Sequence, residues 1–251
     1  CIYFTYGKEV NIMNKTKSKN NSFRKIKAIF IKEFKDAFKS NKIVFMFLLF
    51  PVFTYFLAFV MKGNAGSNPL IFLMMHISMV PVMVTAALIA EEKDKNTLKV
   101  LILSNVRPMQ YLIGVGSFVF IINIITSCLF LPLLHLQLVF IPKFLIVISI
   151  GMLCSTILGA IVGMIVKGGA NIAAATLPVS IVFAIFPLLA SGSGNPFLAM
   201  VAELLYSGQL ITIIFDVANN FTFIRLLIMI LNAIFFLIVF TLVYNNKKLS
   251  D

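Results

Sequence analysis

Between residues 43 and 244 the chain alternates long apolar runs with short polar breaks. Six runs stand out, at about 43–61, 70–90, 109–133, 144–166, 171–192 and 222–244. Each is long enough to cross the roughly 30 Å hydrocarbon core of a bilayer as a helix. Backbone N–H and C=O groups in lipid must bond within the segment, so an uninterrupted apolar run predicts a helix. A membrane β-barrel would show apolar/polar alternation, and none is present. Pro51, Pro81, Pro132, Pro178 and Pro187 fall inside these runs and predict kinks rather than ends.

Ahead of the first run, residues 22–40 have a different period. Phe23, Ile26, Phe30, Phe34, Ala37 and Phe38 recur at helical spacing, with Arg24, Lys25, Lys32, Lys35 and Lys39 filling much of the rest. Ser22 is placed to cap this helix. The pattern predicts an amphipathic helix in the membrane interface, held by apolar burial and anionic lipid. Residues 13–21 read as a basic tail. Residues 1–12 read as upstream sequence translated in frame: Met13 opens a Lys-rich bacterial start, and Gly7-Lys8-Glu9-Val10 can be encoded by a ribosome-binding sequence. They are set apart from the fold.

Composition agrees with the pattern. Of 251 residues 60% are hydrophobic and 12% charged, and the mean hydropathy is +1.02, too apolar for a soluble surface. The net charge of +12 invites a nucleic-acid reading, but its distribution reports orientation instead. With the N-terminus inside, seventeen Lys/Arg from Lys15 onward fall on the cytoplasmic side, and Lys62, Lys143 and Arg225 alone fall outside. The fold class is therefore all-α integral membrane, six spans, both termini cytoplasmic. Residues 43–248 form a single transmembrane domain. The Lys-, Asn- and Ile-rich composition suggests a low-GC bacterium and its plasma membrane.

Residues 196–220 are apolar enough for a seventh span, but they carry Glu203 and Asp216 and are broken at Ser207-Gly208. A seventh span would also put Lys247 and Lys248 outside. The preferred reading is two short helices re-entering from the outer side before span six.

The segment 91–114, EEKDKNTLKVLILSNVRPMQYLIG, carries the most information. It is polar first, then apolar at Leu98, Val100, Leu101, Ile102 and Leu103, and closes with Ser104-Asn105 and Pro108, a residue suited to a first helical turn. Span two is expected to leave the membrane as a charged helix, turn near Asn96, form a short helix along the membrane surface, and re-enter.

This stretch resembles the signature of the type-2 ABC transporter permeases: charged residues, Gly-Thr-Leu, an aliphatic run, a small residue with Pro-Val, a further Pro, then Gly-Lys. Here it reads Glu91-Glu92-Lys93, Thr97-Leu98, Leu101-Ile102-Leu103, Ser104, Val106, Pro108 and Gly114. Asn96 replaces the usual glycine, a change tolerated if the residue is left-handed. Asn105 replaces a proline and is expected to cap span three. Val115 replaces the common lysine.

The resemblance implies that residues 97–103 are a coupling helix docking into a separate ATP-binding subunit, with Thr97, Leu98, Lys99, Leu101 and Ile102 at the contact and Ser104 and Pro108 closing the loop. Glu91 and Glu92 would lie near the basic interfacial helix. It implies a dimer with a second permease chain, identical or different. ATP and magnesium would be held by the partner subunit, with no cofactor bound by this chain. Export follows from the same resemblance; substrates in such a family include drugs and antimicrobial peptides.

Other features refine this. No Gly-rich phosphate loop occurs, so the chain is not expected to bind ATP or act as an enzyme by itself. Gly151, Ser155, Gly159 and Gly163 make a small-residue stripe on span four, which favours close helix packing in lipid. No charged residue lies deep in a span, which argues against an ion-coupled carrier. The alternatives that stay open are an ion-coupled secondary carrier and a membrane scaffold or sensor without transport. His76 and His135 sit in distant segments without nearby carboxylates, and Cys1, Cys128 and Cys154 give no disulfide framework or metal set. The Glu91-Glu92 pair lacks the arginine and histidines of one class of intramembrane protease. Ser78, Thr85, Thr126 and Ser127, if they face inward, would give a cavity suited to an amphipathic or hydrophobic substrate.

Overall fold

The computed structural model describes residues 22–61, 68–104, 106–134, 136–166 and 169–250. The expected upstream segment 1–12, the basic tail 13–21, Asn105 and His135 lie outside the described residues. So do Lys62, Lys167 and the side chains of Ile102, Lys247 and Lys248.

Within the described residues the chain is helical throughout, without strands. In order, α1 covers residues 22–39. It is followed by α2 (Asn41–Val60), α3 (Pro69–Asp94), α4 (Thr97–Leu103), α5 (Pro108–Cys128) and α6 (Leu131–Leu134). Then come α7 (Ile141–Ile165), α8 (Ile172–Gly192), α9 (Pro196–Leu204), α10 (Tyr206–Phe215), α11 (Val217–Asn220) and α12 (Phe223–Ser250). Six of these, α2, α3, α5, α7, α8 and α12, are long and apolar enough to span a membrane. The protein is a multi-pass helical membrane protein.

The long helices do not share the interior equally. α3, α5 and α7 are mostly buried, whereas α2, α8 and α12 turn most of their surface outward. α3 against α7 is the most extensive helix pair. Small residues allow it: a Cβ on Gly159 would stand 2.5 Å from the Val82 carbonyl oxygen, and one on Gly163 would stand 3.0 Å from the Ala86 Cα. At Gly151 the neighbours are side chains of Leu210 and Ile77. Ser155 spends its hydroxyl on the Gly151 carbonyl, at 3.0 Å, and on the Tyr206 hydroxyl, at 2.9 Å. The stripe on α7 therefore faces α3 and α10. Lipid tails are as apolar as leucine, so this proximity and its dispersion contacts are what hold such helices together.

Four of the five prolines leave their helices unbroken, as expected, and one does not. Pro51, Pro81, Pro178 and Pro187 sit inside continuous helices. Pro132 instead ends one. α5 stops at Cys128, the residue whose carbonyl would meet the Pro132 ring, so the third span is shorter than the 109–133 run. The Leu129 and Phe130 N–H groups fold back onto Thr126 and Ser127, and α6 begins separately.

Residues 196–215 form two short helices bent by 96°, broken at Leu205 rather than at Ser207-Gly208. Leu205 is extended (φ −82°, ψ 141°). Gly208 instead permits a close approach. A Cβ there would lie 1.9 Å from the Ala202 carbonyl oxygen, so only glycine lets the second helix start this close to the first. α10 is buried from Tyr206 to Leu210, and Gln209 is held by Arg225 at 2.9 Å. The segment follows the end of α8 and precedes the start of α12, so the chain enters and leaves it at one end of the bundle.

α1 also packs differently from its sequence pattern. Ile29, Glu33 and Ala37 face the bundle, while Phe23, Phe34 and Phe38 remain largely exposed. Ile29 sits over Gly114 of α5, where a Cβ would come within 2.6 Å of its Cγ2. Phe30 and Phe34 both meet Phe118 edge-on. The exposed phenylalanines form the face turned away from the bundle.

Gly159→Leu should separate α3 from α7, because the obstacle is backbone. The expected loss is about 1–3 kcal/mol or more, as for overpacked cores, read as a lower melting temperature in detergent. Gly192→Leu, which meets nothing within 4 Å, should leave it unchanged.

Candidate functional site

The sequence Glu91-Glu92-Lys93-Asp94 ends α3, and the four side chains leave in different directions because successive helical positions are about 100° apart. Glu91 is exposed and accepts from Lys95, one turn on, at 2.6 Å. Glu92 points inward. Its carboxylate accepts from Lys32 Nζ of α1 and from the Tyr111 hydroxyl of α5. Lys93 Nζ donates to carbonyls at the end of α7: Gly163 and Met164, each at 3.1 Å, and Val166. These carbonyls lack intrahelical donors, and a cation is the favoured partner at a helix C-terminus. Asp94 Oδ2 accepts from the Gly169 N–H at 2.8 Å, just before α8. Three consecutive residues thus tie α3 to α1 and α5, to α7, and to the approach to α8.

α4 hangs from the same point. Asn96 takes a left-handed backbone, φ 56°, which turns the chain sharply after α3. Asparagine accepts this conformation at less cost than most side chains. The Thr97 hydroxyl donates to the Glu92 carbonyl at 3.1 Å. At the far end the Val106 N–H returns to the Leu101 carbonyl, and Lys25 of α1 donates to the Ser104 carbonyl at 3.0 Å. The N-cap of α5 is Arg107, not Asn105: its N–H donates to Gln110 Oε1 at 3.0 Å, with Pro108 in the first turn. Gln110 also donates to Ser22 of α1 at 2.7 Å. From α12, the Tyr244 hydroxyl donates to the Val106 carbonyl at 3.2 Å.

The residues assigned to a docking contact separate into two groups. Lys99 is exposed, and its neighbours Val100 (60% exposed) and Leu103 (84% exposed) are apolar and open. Leu98 is 6% exposed and Leu101 is half-buried, so these two face the bundle and hold the helix down. A seven-residue helix on a surface has one inner and one outer face, and Leu98 falls on the inner one. Val115, on α5, is buried.

The sequence pattern does not single out Glu33 or Tyr111. Glu33 lies on the face shared by Ile29 and Ala37, and that i, i+4 spacing is the available signal. Glu33 and Glu92 are both almost fully buried, and Lys32 Nζ reaches Glu33 at 3.2 Å as well as Glu92. Burial first, and the neighbouring Glu92 carboxylate second, push the Glu33 pKa up to about 8. Burial opposes the Lys32 charge, but its bonds and attraction to Glu92 and Glu33 outweigh this and hold its pKa up. With Glu33 protonated, the trio of Lys32, Glu33 and Glu92 is neutral overall.

Elsewhere, His76 is buried between Phe50 and Phe130 and bonds Thr126 at 3.0 Å. Ser78, Thr85 and Ser127 are enclosed by neighbouring helices and do not line an open cavity; Thr126 reaches the edge of a cleft between α2 and α5. Among the described residues no three His, Cys, Asp or Glu side chains are grouped to hold a metal ion. No family model matches the chain, and no curated protein matches it.

Two measurements probe this cluster. Glu33 has a folded pKa near 8 against an ordinary 4.5. The docked helix therefore keeps a proton that the freed helix loses, so docking is strongest below pH 4.5 and weakens as pH rises to about 8. Melting temperatures across this window should fall in the wild type, and Glu33→Gln should remove that slope. Lys32→Ala should cost about 1–3 kcal/mol by leaving the Glu92 carboxylate without its cation, a figure kept moderate because the Lys32 side chain is 35% exposed. Adding Glu92→Gln should recover part of the loss in a double-mutant cycle.

Proposed function

We propose that this chain is the membrane-spanning subunit of an ATP-driven exporter, working with a separate ATP-binding protein that docks on α4. The observation that carries the proposal is α4 itself. It is a short helix outside the spans, with Lys99, Val100 and Leu103 turned outward and its inner face bound to the end of α3. An exposed apolar edge flanked by a cation is a surface suited to a protein partner. A push on α4 would reach α1, α5 and α7 through Glu92 and Lys93, because these contacts are direct hydrogen bonds to a rigid helix. That is the linkage a transporter driven from outside the membrane needs.

The working unit in this reading contains two permease chains, identical or different, and two ATP-binding subunits in a bacterial plasma membrane, with α1 and α4 on the cytoplasmic side. The charge distribution supports that orientation. The substrate class is amphipathic or hydrophobic, with a drug or antimicrobial peptide favoured. A proton-coupled carrier is the second reading, and the buried Glu33–Glu92 pair is the feature that favours it.

The test is an affinity purification from mild-detergent membranes, with partners identified by mass spectrometry. An ATP-binding protein should accompany the wild type and be lost with Val100→Asp and Leu103→Asp, both of which should keep the wild-type melting temperature. Leu98→Asp should instead lower the melting temperature, since it buries a carboxylate. If no ATP-binding protein accompanies the wild type and substrate flux collapses with a protonophore, the carrier reading replaces this one.

A further inference from the structure

α1 is tied to α3, to α5 and to the end of α4. Ile29 seats over Gly114 of α5, and the Ser22 hydroxyl accepts from Gln110 of α5 at 2.7 Å. Lys25 donates to the Ser104 carbonyl just after α4, and Lys32 donates to Glu92 of α3. The apolar hold is narrow. Among the apolar residues of α1 only Ile29 and Ala37 are fully buried, while Phe23, Ile31, Phe34 and Phe38 are exposed. Charge therefore carries much of the docking, and the charged contact holds one acid too many.

Glu33 of α1 and Glu92 of α3 are both buried, and their carboxyl groups lie within hydrogen-bonding reach of each other. One ammonium serves both: Lys32 Nζ is 3.2 Å from Glu33 and also donates to Glu92. The other titratable groups facing the pair are phenols. Tyr111 of α5 donates to Glu92, and Tyr244 of α12 stands with its ring 6.0 Å from that of Tyr111. Glu91 is turned away to Lys95, and Lys35, Asp36 and Lys42 are exposed. Two acids against one cation leave a buried negative charge unless one proton is kept, and such a charge is costly. A carboxylic acid can donate to a carboxylate, whereas two carboxylates only repel. With the proton, Glu33 closes onto Glu92. Without it, Glu33 is better placed in water, and it reaches water only if α1 lifts. Burial and the Glu92 carboxylate hold this proton on up to about pH 8 while α1 is docked.

We infer that α1 is a strap held down by one proton shared between Glu33 and Glu92, and that loss of this proton lifts α1 and loosens α4. The ties of α1 transmit the release. When α1 leaves, Lys25 no longer holds the Ser104 carbonyl. Ser22 no longer holds Gln110, whose side chain also accepts from the Arg107 N–H at the start of α5. α4 then keeps Thr97 at its start and the Tyr244 bond beyond its end, but loses the tie between them. Raising the pH opens the strap, and lowering it closes the strap. The device needs neither an ATP-binding partner nor transport, so it stands or falls separately from the exporter reading.

Hydrogen–deuterium exchange of the full chain in lipid nanodiscs tests it, with each amide rate divided by the intrinsic rate at that pH. One linked proton changes docking by about tenfold per pH unit between the free and docked titrations. From about pH 5.5 to about pH 7.5, protection of residues 22–39 should therefore fall about a hundredfold. Protection of residues 97–104 should fall in the same window, and that of residues 141–165 in α7 should stay constant. Glu33→Gln should flatten both pH profiles. Glu92→Gln, which leaves Lys32 to Glu33 alone, should flatten them too, so the test survives if one variant fails to fold. Glu91→Gln, at the exposed pair, should keep the wild-type profile. The proposal is overturned if residues 22–39 are equally protected at both pH values, or if they open while residues 97–104 do not. It is equally overturned if α7 opens with them, which is general unfolding, or if Glu33→Gln and Glu92→Gln keep the wild-type profile.

Discussion

A carboxylate buried where hydrocarbon gives way to water must be surrounded by donors, because an unpaired charge there costs several kcal/mol. Glu92 is such a group, and the arrangement around it follows from satisfying it. Lys32 and Tyr111 supply its two donors, which brings α1 and the start of α5 to the end of α3. Once Glu92 is fixed, its backbone carbonyl receives Thr97 and starts α4. The next residues, Lys93 and Asp94, then lie where they close the end of α7 and the approach to α8. Glu92 and the two residues after it thus fix the position of the amphipathic helix, the surface helix and three spans.

Deeper in the bundle the constraint changes from charge to shape. Water no longer drives apolar surfaces together, so contact depends on how closely backbones can approach. Gly159 and Gly163 let α7 touch the backbone of α3, and Gly208 lets α10 start against Ala202. The same economy of side chains continues on α5, where a Cβ on Gly116 would stand 3.2 Å from the Thr156 methyl of α7.

Much of this is legible in the sequence. The six spans follow from run length, and the turn at Asn96 from a residue tolerant of positive φ standing between a charged helix end and an apolar stretch. The end of α5 four residues before Pro132 is not, because proline acts on the carbonyl behind it and the apolar run continues past that point. Leu98 reads as an outer-surface residue because hydropathy cannot tell which side of a seven-residue helix faces the bundle. Glu33 is hidden for a related reason. A charged residue in a basic amphipathic helix looks solvated until its tertiary partners, far along the chain on α3 and α5, are known. Arrangement at this level is set by long-range pairing, and a linear pattern does not encode it.

The spacing of those partners has a consequence for biosynthesis. Asp94 and the amide it receives at Gly169 are 75 residues apart. At the roughly 5–20 residues per second of translation, about 4–15 s pass between the two emerging. During that interval α3 has its lysine and aspartate but neither the α7 terminus nor the α8 approach to receive them. Until then the Lys93 and Asp94 side chains have only water or headgroups to bond in place of those partners. The last steps of assembly therefore belong to the second half of the chain, and a ribosome stalled between residues 94 and 163 would leave a membrane intermediate whose charged end is still hydrated.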